Sequence, residues 1–296
     1  MRNIILAALV TAALTHPASA AAKLRVVAST TDLASIAASV GGDAIEVFAI
    51  ARPGSDPHRV EALPSYMIKV SRAQVYLKVG LSLDQWADAI LEGSRNDKVL
   101  AVDCSQGVNA LEKPTGKVDA SMGDVHPNGN PHYWLDPRNG AVAARNIAEG
   151  FARADAAHAA DYRARAEAFA KECAAAYERG KATAARIPSR AIFTYHRSWT
   201  YLADAFGLEV VSTVEPVPGI PPTARHLQEL VDLAKSRKVA LLIQEPYFAA
   251  DAGKFLTRSA GVRVVTASSS CDDEKPGSYL AHILGVLDQC AGGIAK

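Results

Sequence analysis

The 296-residue chain is predicted to be an α/β protein of two lobes, each a small, mostly parallel sheet flanked by helices, joined by one long rigid helix. Three observations carry this. Short β-rich runs alternate with helical stretches from residue 24 onward, the pattern of parallel strands with crossover helices. The same scheme then occurs a second time. Between the two occurrences, residues 156–186 are rich in Ala, Arg, Glu and Lys and hold no glycine before Gly180, so they read as one unbroken helix that Pro188 stops.

The elements follow in order. Residues 1–20 combine Arg2, an apolar run from Ile4 to Leu14 and the ending Ala18-Ser19-Ala20, which is a secretory signal peptide. The run is too short to span a bilayer, which takes ~20 apolar residues. No cysteine follows it, so no lipid anchor is expected. The first lobe, residues 21–154, has strands at 24–28, 45–50, 74–79 and 98–102, with helices at 32–40, 63–72 and 83–91 between them. The linking helix occupies 155–187; at about 30 residues it would be roughly 45 Å long and leave little room for wide hinge closure. The second lobe, 188–296, has strands at 190–194, 208–213, 239–244 and 262–266. Residues 107–131, with Gly107, Pro114, Gly116, Gly123, Pro127, Gly129 and Pro131, fit no regular element. They read as a mobile acidic flap carrying Asp119, Asp124 and His126.

Composition excludes several functions. With 49% hydrophobic and 21% charged residues, the chain is not intrinsically disordered. Lys and Arg number 32 against 31 Asp and Glu, and loss of Arg2 with the leader leaves the charges balanced, so no basic surface points to nucleic acid. Export permits disulfides. Cys104, Cys173, Cys271 and Cys290 allow three pairings, of which Cys271–Cys290, flanking the last helix, is the first choice; four free buried thiols are the alternative.

Seven histidines remain after the leader, and three sit where a strand or loop meets the next element. His58 lies in Ser55-Asp56-Pro57-His58 after the second strand, His132 in Asn130-Pro131-His132-Tyr133-Trp134-Leu135-Asp136, and His196 in Thr194-Tyr195-His196 after the first strand of the second half. Open α/β sheets bind ligands at the carboxyl ends of strands. If the lobes face each other, these imidazoles can meet across the cleft, and three imidazoles with one oxygen donor make a tetrahedral Zn²⁺ shell. The separations along the chain match no local zinc motif. His158, His226 and His282 lie in helical stretches and read as structural or solvated, and His126 as solvent-exposed or an auxiliary ligand.

Taken together, the segments SDPHRVEALPSYMIKVSRAQVYLKVG (55–80), HYWLDPRNGAVAARNIAEGFARADAAHAADY (132–162), 195–207 and EPVPGIPPTARHL (215–227) resemble the periplasmic zinc/manganese solute-binding proteins of ABC transporters, of the zinc-binding type. The resemblance runs from about Lys23 to the C-terminus. It implies two α/β lobes bridged by a long helix and His58, His132 and His196 as metal ligands. It also implies Zn²⁺ as bound cargo in preference to Mn²⁺, because His196 stands where manganese members often have Glu. A membrane ABC permease is the implied partner, with a metal-loading chaperone as an optional second one; no nucleic acid, no direct membrane insertion, a periplasmic location and a monomer are expected. The fourth ligand departs from the family pattern. Asp272, the first carboxylate after the last strand, is the first choice; Asp273, Glu245 and water are the alternatives. Two rival readings are a secreted zinc-dependent hydrolase with Glu245 as general base, although no H-E-x-x-H helix is present, and a manganese-specific binding protein or adhesin of the same fold.

Overall fold

The computed structural model describes residues 22–116, 123 and 126–292; the leader, Asp119 and Asp124 lie outside them. Strands β1 (Leu24–Ala28), β2 (Ile45–Ala49), β3 (Val75–Lys78) and β4 (Leu100–Asp103) form one sheet in the order β2-β1-β3-β4. Strands β5 (Ala191–Thr194), β6 (Glu209–Thr213), β7 (Leu241–Gln244) and β8 (Arg263–Thr266) form a second in the equivalent order β6-β5-β7-β8. Every ladder is parallel. Within each sheet consecutive strands are joined by crossover helices, α1 (Thr31–Gly41), α2 (Pro64–Ser71) and α3 (Trp86–Ser94) in the first and α6 (Thr200–Phe206), α7 (Ala224–Arg237) and α8 (Asp251–Ala260) in the second. The first helix of the long pair, α4 (Pro137–Ala154), starts with Pro137 in its first turn and the Asp136 carboxylate accepting from Arg138 N. The sheets thus match the predicted class; helix α3 begins later than the pattern suggests. Its approach, residues 80–82, has positive φ at Gly80, Leu81 and Ser82 (83°, 51° and 68°), and the Asp84 carboxylate accepts from Val79 N and Gly80 N to hold that turn.

The long helix α5 spans Ala159–Ala184 after a 3₁₀ turn at Ala156–His158. Its start is fixed by the Asp155 carboxylate, which accepts from His158 Nδ1 (2.7 Å) and Tyr162 Oη (2.8 Å). One stripe of α5 is buried: Tyr162, Ala166, Phe169, Cys173, Ala176, Gly180 and Ala184, the three-and-four spacing of a helix face. That stripe packs against α4 and against the C-terminal helix α9 (Ser278–Cys290). The resulting core is continuous between the lobes. Val26 and Leu77 of the first sheet, Ile147 and Phe169 of the helices, Ile283 and Leu287 of α9, and Leu241 and Ile243 of the second sheet belong to one apolar cluster. The helix is therefore not a bare rod between separate bodies; both sheets lean on the same packed layer.

The loop between β8 and α9 adds polar stitches to the first lobe. Thr31 Oγ1 donates to Cys271 O (2.7 Å), Cys271 N to Asp32 Oδ1 (3.1 Å), Ser35 Oγ to Lys275 O (2.6 Å) and Ala49 N to Glu274 Oε1 (2.7 Å). Trp134 Nε1 donates to Ser269 O at 2.8 Å, and Tyr279 Oη back to Trp134 O at 2.5 Å. The disulfide expectation is corrected: all four cysteines are free and buried. Cys290 is the last residue of α9, and Cys271 lies on the loop before that helix, its backbone bonded to Thr31 and Asp32 of α1.

Gly180 shows packing overruling propensity. Alanine in a helix interior is worth about 0.8–1.0 kcal/mol over glycine, but a Cβ here would lie 2.4 Å from Phe206 Cε1 and 3.0 Å from Leu287 Cδ1. Overpacking costs about 1–3 kcal/mol. Gly180→Ala should therefore lower the midpoint of thermal unfolding; a raised midpoint would show that the α5–α6–α9 junction yields more readily than described.

Candidate metal centre

The three histidines singled out in the sequence come together. One nitrogen from each of His58, His132 and His196 lies within 4.8 Å of the other two, the one such group of His, Cys, Asp or Glu among the described residues. Ring centroids are 5.0 Å apart for His58 and His132, 5.3 Å for His58 and His196, and 5.5 Å for His132 and His196. In a tetrahedral shell with zinc–nitrogen bonds of ~2.0–2.1 Å, ligand nitrogens stand about 3.4 Å apart, so closing on an ion takes a small adjustment.

Two of the three rings are aimed by the same local device. In Asp56-Pro57-His58, Asp56 Oδ1 accepts from His58 N (3.0 Å) and lies 2.8 Å from His58 Nδ1. In Asn130-Pro131-His132, Asn130 Oδ1 accepts from His132 N (3.0 Å) and lies 2.9 Å from His132 Nδ1. An Asx side chain folded onto the backbone two residues on, with proline fixing φ between, forms a stiff turn. The Asn130 amide orientation is itself decided, because its Nδ2 donates to Glu112 Oε2 and to Arg197 O, both at 2.8 Å. Its oxygen must then accept, so His132 carries its proton on Nδ1. His196 is held differently: Nδ1 lies 2.7 Å from Glu215 Oε2, and Glu215 follows β6, the strand beside β5. All three Nδ1 atoms are thus committed to an oxygen, and Nε2 is the lone-pair nitrogen of each ring. The Nε2 atoms of His58 and His132 are buried without a hydrogen-bond partner.

Surrounding elements hold these turns in place. Trp86 Nε1 of α3 donates to Pro57 O (3.0 Å), bracing the His58 turn. Tyr201 Oη of α6 donates to Asn130 O (2.8 Å) and accepts from Leu111 N (2.9 Å), so a second-lobe side chain clasps both ends of the irregular segment. His126, in that segment, stacks on His58 with centroids 5.3 Å apart, close to the trio but outside it.

The electrostatics suit a cation. Burial, reinforced by the neighbouring imidazoles, holds His132 well below the usual histidine range and hence neutral. Burial would also lower His196, but the Glu215 hydrogen bond and the charges of Glu245, Glu215 and Asp56 outweigh it and raise its affinity for protons. Burial pushes Glu245 up to about 7. The carboxylates of Asp56, Glu215 and Glu245 around the imidazoles make a site suited to a cation.

The predicted fourth ligand is not brought in. Asp272 is exposed and outside the histidine group, on the loop that straps the lobes together. Asp273 accepts from Lys275 N and Ser278 Oγ, both at 2.7 Å, and so braces the start of α9; these bonds hold it down to about 2. Glu245 is fully buried at the end of β7. His158, His226 and His282 are engaged elsewhere, with Asp155, Thr213 O and Ser268 O. The sequence reading did not identify Asp56, Asn130 and Glu215 as orienting partners. The repeated Asx-Pro-His was a visible signal for two of them; Glu215 had none, because only strand adjacency places it.

Two parallel-sheet lobes thus share one packed core and bring three imidazoles together at the carboxyl ends of their strands. A family model described as "ZnuA: Zinc-uptake complex component A periplasmic" matches residues 26–292, and the chain belongs to this family of metal ABC-transporter substrate-binding proteins. Among curated proteins it is 26% identical over 291 residues to the iron-binding protein YfeA of Yersinia pestis, covering 95% of this chain and 89% of that one. It is 25% identical over 299 residues to the manganese ABC transporter substrate-binding lipoprotein PsaA of Streptococcus pneumoniae, covering 95% and 92%. A crystal structure of ZnuA superposes with a TM-score of 0.80 at 24% identity, covering 92% of this chain and 99% of that one. The binding protein FpvC of Pseudomonas aeruginosa, solved with Mn²⁺, gives 0.76 at 24% identity over 92% and 98%.

The tautomer assignment is testable alone. Long-range ¹H–¹⁵N correlation at pH 8 should show His58, His132 and His196 all protonated on Nδ1. An Nε2-protonated signal from any of them would contradict the orienting role of its partner.

Proposed function

We propose that this chain is exported to the periplasm, captures Zn²⁺ between its lobes with His58, His132 and His196, and delivers it to the membrane permease of an ABC importer. The observation that carries the reading is the convergence of three imidazole nitrogens with every Nδ1 already committed. Such a site needs no tautomer change before an ion is bound. Kinship does not choose the ion, since the names of relatives include iron and manganese. Ligand chemistry favours zinc over manganese: imidazole suits zinc, copper or nickel, whereas manganese favours carboxylate and carbonyl oxygens. No helix among the described residues is long and apolar enough to cross a membrane, in keeping with a binding protein that meets its permease from outside.

The shared core argues against release by wide lobe opening. The Asp272 loop is hydrogen-bonded to α1 and is no free gate. Release instead falls to a local change in the turns that carry the histidines.

Isothermal titration should give one Zn²⁺ per chain, tighter than Mn²⁺. His58→Ala, His132→Ala and His196→Ala should each weaken it by more than the ~10–100-fold that follows loss of an outer-shell partner. Undiminished zinc affinity in all three variants would refute the assignment.

A further inference from the structure

Two of the three histidines share an anchor that lies in neither of their own turns. Pro57, the residue before His58, offers its carbonyl to Trp86 Nε1 at 3.0 Å. Tyr133, the residue after His132, donates its phenolic hydroxyl to Val79 O at 3.0 Å. Val79 follows β3 and Trp86 opens α3, so both contacts fall on one short stretch, residues 79–86. Each contact sits one residue from an imidazole of the trio, and those two rings have the shortest centroid separation of the three, 5.0 Å. His196 is held instead by Glu215 of the second lobe.

The stretch needs help to keep its shape. Gly80, Leu81 and Ser82 all have positive φ, a conformation that leucine rarely adopts and that persists only where surrounding bonds enforce it. Asp84 supplies those bonds. Its Oδ2 accepts from Val79 N at 2.7 Å and from Ser29 Oγ just past β1, and its Oδ1 accepts from Gly80 N at 3.2 Å; the residue is 1% exposed. These bonds run back to the turn and not forward to α3, which has no side-chain cap, so the carboxylate does not serve the helix start. The Asp84 carbonyl accepts from Ala87 N at 2.9 Å and so directs the chain into the first turn of α3, where Trp86 stands. One residue therefore binds the amide of Val79, whose carbonyl holds Tyr133, and leads into the helix that holds Pro57.

Building on the three-histidine reading, we propose that Asp84 is a positioning residue for metal capture: by fixing the turn at residues 79–84 it sets the spacing between His58 and His132. It touches neither ring and acts on one through Trp86 and on the other through Tyr133.

Zinc competition titrations and long-range ¹H–¹⁵N correlation on the full chain test this with two variants. Asp84→Asn puts an N–H donor where two backbone amides need an acceptor, and should weaken zinc roughly 10-fold, the low end for loss of an outer-shell partner. Its ring signals should move for His58 and His132 and stay in place for His196, a pattern that a general loss of stability would not produce. Tyr133→Phe removes a single donor and should weaken zinc by about 3-fold. Because both changes act through one turn, the double variant should lose less than the product of the two. Unchanged affinity in folded Asp84→Asn, or equal displacement of all three histidine signals, overturns the proposal. If Asp84→Asn does not fold, Tyr133→Phe decides, and wild-type affinity in that variant overturns it. His132→Ala in the same titration separates the two levels: if it loses zinc while Asp84→Asn and Tyr133→Phe do not, the histidine site stands and the role of Asp84 is excluded.

Discussion

The constraint on which this molecule turns is the commitment of each imidazole Nδ1 to a fixed oxygen. Asp56, Asn130 and Glu215 accept those protons at 2.7–2.9 Å, and every other property of the centre follows. The rings cannot rotate freely, one nitrogen of each lies within 4.8 Å of the other two, and buried His132 stays neutral because its surroundings and its neighbours disfavour charge. A flexible trio would have to be ordered as the ion arrived, at a cost of roughly 0.5–1.5 kcal/mol for each immobilised side chain. Here that ordering is done by folding.

Keeping those oxygens in place demands a rigid frame. Asp56 rides on a turn braced by Trp86, Asn130 on a segment clasped by Tyr201, and Glu215 just past the strand beside the one that ends before His196. The partners come from both lobes, so the lobes must not drift. The continuous apolar layer through α4, α5 and α9, and the stitches from residues 269–279 back to α1 and Trp134, meet that need. The histidine centre and the fixed placement of the lobes are therefore one design.

Much of this was legible in the sequence, for physical reasons. The alternation of apolar runs with helical stretches specified both parallel sheets, because crossover connections admit little else. Alanine-rich, glycine-free residues up to Gly180 specified α5. His58 and His196 could be placed because strand ends are where α/β sheets bind ligands. What stayed hidden depends on contacts between distant segments. Nothing local in Asp272-Asp273-Glu274 distinguishes a metal loop from an inter-lobe strap; only the packing of Thr31, Asp32 and Ser35 against it does. Likewise nothing in the spacing of Cys271 and Cys290 tells that both thiols stay free and buried. Glu245 was visible as an acid at a strand end, but its unsatisfied burial emerges only from the fold.

The most direct measurement is a crystal structure of the zinc-loaded chain with diffraction recorded on both sides of the zinc absorption edge. The account predicts one anomalous peak, bonded by the Nε2 atoms of His58, His132 and His196 while their Nδ1 atoms keep Asp56, Asn130 and Glu215. A peak elsewhere, or one that fewer than two of these rings reach, would contradict it.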